Sequence, residues 1–175
     1  GIPSTGKERV ALAQRIVQTA NALEIPSENI WIDPLALTIS AQQEQAAQTL
    51  QAIEEISRQM QLPTVLGISN ISFGLPCRRE ITRTFLAMAL QAGLQLPILN
   101  VNEPALMDTL ASFQALSGQD PNSMAYIERF KERKESSQSA VPAEICQSLQ
   151  TIQALSQKAL QLAGESIPSP FSAQS

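Results

Sequence analysis

Three short apolar runs, each closed by a polar residue and separated by helix-length stretches, constrain this chain more than any other feature. They are Ile30-Trp31-Ile32 before Asp33, Thr64-Val65-Leu66-Gly67-Ile68 before Ser69-Asn70, and Leu96-Pro97-Ile98-Leu99 before Asn100. Amphipathic segments lie around them. Thr5 to Leu23 carries Val10, Ala13, Ile16, Val17 and Ala20 on one helical stripe and is stopped by Pro26. Ala41 to Met60 turns Ala46, Leu50, Ile53 and Ile56 inward and is stopped by Pro63. Ile71 to Cys77, with Gly74 and Pro76, reads as a loop. Arg79 to Ala92 presents Ile81, Phe85, Leu86 and Ala89, and Gly93 terminates it. Further helices are expected at about Pro104 to Leu116 and Asn122 to Lys134. Strands alternating with helices of this length run parallel, because each helix serves as the crossover. The continuously apolar strands predict cover on both faces, and Pro97 weakens the third. The class is α/β.

Composition bounds the chemistry. The chain has 175 residues, 43% of them apolar and 16% charged, which suits one soluble domain with a real core. A net charge of -4 argues against a nucleic-acid surface. There is no histidine, which removes Ser-His-Asp and Cys-His catalysis and every His-ligated metal site. Cys77 and Cys146 lack CxxC spacing and read as reduced thiols, which fits a cytoplasmic protein. No apolar run approaches the roughly 20 residues a membrane helix needs, and no signal peptide opens the chain.

The chain opens on Gly1 rather than Met, as expected of a piece cut from something larger. Residues 1–134 hold the alternating part. Residues 135–142 form a polar linker, and Ile145, Leu149, Ile152, Leu155 and Ala159 define an amphipathic helix over 143–164. The Pro- and Ser-rich stretch 165–175 is expected to be a disordered tail.

Asp33, Ser69, Asn70 and Asn100 all fall at strand ends. In a parallel α/β barrel the active site forms there, where the loops into the helices begin. Asp and Asn also favour turns and helix caps, so any one of these residues is ambiguous. Three successive strands doing the same thing points to a site.

The segments Ile30-Trp31-Ile32-Asp33-Pro34-Leu35 and Val65 through Pro76, the latter reading VLGISNISFGLP, resemble the pterin-binding domain of methyltetrahydrofolate methyltransferases. That family includes corrinoid-linked enzymes and the folate domain of cobalamin-dependent methionine synthase. The likeness continues through Arg78, Arg83 to Ala89 and Ala92-Gly93-Leu94, starts early in Gly1-Ile2-Pro3 and Arg9, and covers roughly residues 1–130. Thr82 and Gln95 depart from the family pattern, which commonly has Asn and Asp there.

The resemblance implies a (β/α)8 TIM-type barrel, of which this chain supplies the last three βα units plus a C-terminal helix. A whole barrel takes about 250 residues, so five strands are missing. It implies a methyltransferase that binds 5-methyltetrahydrofolate and passes its N5-methyl group to a Co(I) corrinoid on another domain or protein. Asp33 is the expected pterin-binding carboxylate, since it can accept from two ring N–H donors at once. Asn70 is the expected catalytic residue, its amide hydrogen-bonding near N5 as charge develops there. Arg78 is expected to meet folate polar groups or the carboxylate tail, with Ser69 and Asn100 completing the pterin site. No metal ligand is expected in the chain. Its expected partners are folate and a corrinoid protein or domain, with a homodimer left open and neither nucleic acid nor membrane involved.

Two alternatives remain open on the sequence. Dihydropteroate synthase shares the barrel, but its Ser-Arg-Lys type segment is absent where this chain has Ser69-Asn70-Ile71. A truncated barrel remnant with a non-catalytic binding role is the other. Either way the chain alone is expected to have little activity.

Overall fold

The computed structural model describes residues 1–133 together with Leu155 and Lys158, which are helical. The linker, most of the 143–164 helix, the tail and Cys146 lie outside the described residues. The chain divides into two compact units, Gly1–Arg129 and Phe130–Ser175. In the second, the Arg133 guanidinium lies over the Phe130 ring at 4.9 Å.

The first helix, α1 (Gly6–Ala22), begins where Thr5 and Glu8 cap each other. The Thr5 hydroxyl accepts from the Glu8 amide at 3.2 Å, and the Glu8 carboxylate accepts from the Thr5 and Ser4 amides at 3.1 and 2.8 Å. Reciprocal capping satisfies amides that a helix start leaves without partners. Gly6 is buried against α2 (Gln45–Glu54), and a Cβ there would stand 2.8 Å from the Gln48 carbonyl. A larger residue at position 6 would hold the two helices apart.

Helix α2 starts four residues later than the apolar pattern predicts, because residues 41–44 form turns before it. Its last turn, Glu55–Gln59, is π-helical. Two faces of this one helix feed two cores. Ile53 packs with Leu66, Ile68, Phe85, Leu86 and Leu106, whereas Ala52 and Ile56 pack with Val10, Ala13, Ile30 and Ile32. Each fully buried Leu or Ile side chain contributes roughly 1.5–3 kcal/mol. Ile16, expected on the buried stripe of α1, is about half exposed instead.

The strands are β1 (Val65–Gly67) and β2 (Leu96–Ile98), parallel as predicted, with Leu66 opposite Pro97. Helix α3 (Arg78–Ala92) is the crossover between them, and Gly93, at φ 111°, ends it. The first predicted strand is reduced to one parallel bridge between Ile32 and Thr64. The Ile32 amide donates to the Pro63 carbonyl and the Val65 amide to the Ile32 carbonyl, both at 3.0 Å. In parallel register the next donors along this ladder are the nitrogens of Pro63 and Pro34, which carry no hydrogen. The ladder therefore stops after one rung.

Pro97 escapes that penalty. With the Leu96 amide donating to the Thr64 carbonyl at 3.0 Å, the neighbouring nitrogen faces away from β1, where a proline loses no rung. Cover on both faces is a correction for β2: Leu66 is buried, but Ile98 is 62% exposed. After β2 come α4 (Pro104–Leu116) and α5 (Met124–Phe130). The helix expected from Asn122 starts later, because Asn122 has φ 56° inside a 3-10 turn. No helix among the described residues is long and apolar enough to cross a membrane.

Candidate functional site

The register sets which candidate residues can meet. Ser69 stands two residues past Gly67, and Asn100 two past its partner Ile98. Ser69 and Asn100 are therefore neighbours at the same end of the sheet. Asp33 leaves the sheet sooner, one residue past the bridge to Thr64.

Two clefts follow. Ser69, Arg78, Arg79, Thr82, Leu99, Asn100, Glu103 and Leu106 line one of about 380 Å3. Ser69 reaches it from the 3-10 turn Ile68–Ser72 that follows β1. Arg78, at the start of α3, donates from Nη2 to the Ser69 carbonyl at 2.9 Å and from Nε to Ser72 Oγ at 3.2 Å. Its guanidinium also lies 5.6 Å from the centre of the Phe73 ring, a geometry that favours a cation. Ser72 Oγ in turn meets Thr82 Oγ1 at 2.8 Å in a buried pair. Arg79 Nε pairs with Glu103 Oε1 at 2.6 Å and so links α3 to the start of α4. Asn100 Oδ1 accepts from the Asn102 amide at 3.0 Å, shaping the loop after β2.

Asp33 lines the second cleft, of about 330 Å3, together with Pro3, Arg9, Leu12, Ala13, Ile16, Ile32, Pro34 and Leu35. Its Oδ1 accepts from the Leu35 amide at 2.8 Å. This is the turn role that its residue type predicts, and it leaves Oδ2 for a ligand. Asn70 is exposed and lines neither cleft. Its Nδ2 lies 3.6 Å from where a Gly67 Cβ would be, so the amide leans back over the end of β1. It makes no side-chain hydrogen bond among the described residues, which leaves both ends of the amide available. The structure thus brings Ser69, Arg78 and Asn100 together, and leaves Asp33 and Asn70 outside that cleft.

Sequence reasoning placed Arg9 and Thr82 within the family likeness but assigned no role to them or to Ser72, the residues that hold the two clefts together locally. Arg9 is buried, with 4% of its surface exposed. Its Nη1 donates to the Leu35 carbonyl at 2.9 Å and to Thr49 Oγ1 at 2.8 Å. Its Nη2 donates to Gln45 Oε1, and its Nε to the Pro3 carbonyl at 3.4 Å. Burial pushes its pKa down from the ordinary value. A visible signal was its spacing, since Arg9, Ala13 and Val17 recur every four residues on one face of α1. Ser72 and Thr82 carried no such signal.

Residues 4–100 match the family described as pterin binding enzyme. The chain is 26% identical over 137 residues to a methylcorrinoid:tetrahydrofolate methyltransferase of Eubacterium limosum, covering 77% of this chain and 50% of that protein. It is 32% identical over 123 residues to the methionine synthase of Mycobacterium tuberculosis (strain ATCC 25618 / H37Rv), covering 65% of this chain and 10% of the relative. For the methionine synthase of Mycobacterium leprae (strain TN) the identity is 34% over 112 residues, with 59% and 9% covered. The chain spans about half the length of the first relative and about a tenth of the other two.

Proposed function

The chain belongs to the pterin binding enzyme family, and on that premise we propose that it is the folate-binding part of a corrinoid-dependent methyltransferase. It supplies the last three βα units of a (β/α)8 barrel, and the strand ends bind 5-methyltetrahydrofolate. The observation that carries this reading is the common direction of three successive parallel segments, ending on Asp33, on Ser69-Asn70 and on Asn100. Ligand sites of parallel α/β folds lie at that end of the sheet.

In this reading Asp33 accepts from the pterin ring through the carboxylate oxygen that its own turn leaves unused. Asn70 holds a hydrogen bond at N5, where the electron pair of the breaking N–CH3 bond collects. The corrinoid, when bound, would supply the nucleophile that takes the methyl carbon, and Asn70 would keep N5 hydrogen-bonded while a proton from solvent replaces the methyl group there. Arg78 faces the folate's anionic parts while its hydrogen bonds to Ser69 and Ser72 hold the loop. Ser69 and Asn100 add polar contacts at the shared strand end.

The corrinoid sits on another domain or protein. The chain has no histidine to ligate cobalt. The Eubacterium limosum relative's name writes the transfer from corrinoid to tetrahydrofolate. Both directions pass through one transition state, so the same contacts serve either.

Asp33 and Asn100 line different clefts, which supports little turnover by the chain alone. The test is a single-turnover assay that follows loss of Co(I) corrinoid absorbance on mixing with methyltetrahydrofolate. The reading expects transfer by a version extended with the five preceding βα units, and almost none by the 175-residue chain. Equal rates from both would overturn the partial-barrel reading. A folded extended version that transfers nothing would overturn the methyltransferase.

A further inference from the structure

Arg9 is a buried cation whose acceptors are all neutral: the Pro3 and Leu35 carbonyls, Thr49 Oγ1 and Gln45 Oε1. No carboxylate lies within ion-pair distance of it among the described residues. Burying a charge costs several kcal/mol unless it is well paired, so a long apolar side chain would fill this space at less cost. The placement of the guanidinium suggests what offsets that cost.

The Leu35 carbonyl receives two of these groups, Arg9 Nη1 at 2.9 Å and Thr49 Oγ1 at 3.1 Å. Leu35 has φ 64°, a left-handed conformation that a residue with a Cβ adopts only when its surroundings enforce it. The amide of the same residue donates to Asp33 Oδ1 at 2.8 Å. Arg9 therefore grips one end of the Leu35 peptide geometry, and the other end holds the Asp33 carboxylate. Both side chains line the same cleft.

We propose that Arg9 is a positioning residue: through Leu35 it fixes the Asp33 carboxylate so that Oδ2 points at a ligand. The inference rests on the pterin reading of Asp33 for its functional consequence, but not for its geometry. Lysine at position 9 keeps the charge and loses the fork, so it cannot hold Leu35, Thr49 and Gln45 together.

The experiment compares Arg9→Lys with Ile56→Val, a core variant that takes no part in the hydrogen bonds joining Arg9, Leu35 and Asp33. Amide hydrogen exchange reads the geometry in the 175-residue chain. The expected result is Leu35 protection at least tenfold lower in Arg9→Lys, with the centre of α3 unchanged and Ile56→Val like the parent. Unchanged Leu35 protection, or an equal loss throughout the chain, overturns the proposal.

Calorimetric titration of methyltetrahydrofolate into the extended protein then reads the consequence. Arg9→Lys is expected to weaken binding about tenfold, the range of one charge-assisted hydrogen bond, and to add nothing in an Asp33→Asn background. A loss that persists in that background overturns the indirect role. Loss of Leu35 protection in a protein that binds no folate leaves the positioning geometry supported and instead counts against the pterin reading.

Discussion

Ser72 and Thr82 meet through their hydroxyls at 2.8 Å, both buried, and tie the turn after β1 to the body of α3. Ser72 also donates to the Ser69 carbonyl at 3.2 Å and accepts from Arg78 Nε at 3.2 Å. One hydroxyl group thus joins three parts of the candidate site. Thr82→Val keeps the shape and removes the partner. We expect a loss of about 1 kcal/mol in chemical denaturation, and unchanged stability would show that the pair contributes nothing net.

Arg78 reaches Ser69 and Ser72 with two different nitrogens of one planar group. A lysine ammonium cannot reproduce that fork. Arg78→Lys should weaken methyltetrahydrofolate binding several-fold while leaving the thermal midpoint almost unchanged, because the residue is exposed. Calorimetry beside a melting curve separates the two effects, and parent-like affinity would remove Arg78 from the site.

Acid should loosen the start of α1. Hydrogen bonds from the Thr5 and Ser4 amides, then the Ser4 hydroxyl, hold the Glu8 carboxyl below the ordinary carboxylate range. A depressed folded pKa means the stabilisation is present above the unfolded value, near 4.3. It is lost as pH falls through the lower folded value. Glu8→Gln should therefore lower stability at neutral pH and flatten its dependence on pH below about 4.3. Parallel pH–stability curves for the two proteins would contradict this.

Gly93 ends α3 at φ 111°, and a Cβ there would clash with Ser57 Oγ and stand 3.1 Å from Ser57 Cβ. Gly93→Ala meets both a backbone and a steric penalty, together about 1–3 kcal/mol. Ser57→Ala removes the Oγ that the new Cβ would strike without placing a glycine in the helix, so Gly93→Ala should cost less in that background. A double variant no better than Gly93→Ala would place the whole cost in the backbone.

Much of this was legible in the sequence where the signal was periodic or terminal. The helices containing Val10, Ile53 and Phe85, the parallel direction of the strands and the stop at Gly93 follow from spacing and residue type. The reduction of the first strand to one rung was readable only in hindsight. It depends on Pro63 and Pro34 both falling on donor positions of one ladder, and register is not visible in a single strand. Ile98 was expected under cover because an apolar run does not say which strand will stand at an edge. The candidate site divides the same way. Asp33, Ser69, Asn70, Arg78 and Asn100 could be named from strand ends and family likeness. Ser72, Thr82 and the acceptors of Arg9 act through long-range contacts, such as Arg9 to Gln45 across 36 positions, that no local pattern encodes.

The most direct test of the account is titration of methyltetrahydrofolate into the extended protein and its Asp33→Ala and Asn70→Ala variants. The account predicts one site in the parent and loss of binding in Asp33→Ala. It predicts that Asn70→Ala retains binding more nearly than it retains methyl transfer. Parent-like binding by Asp33→Ala, or no binding by the folded parent, would contradict it.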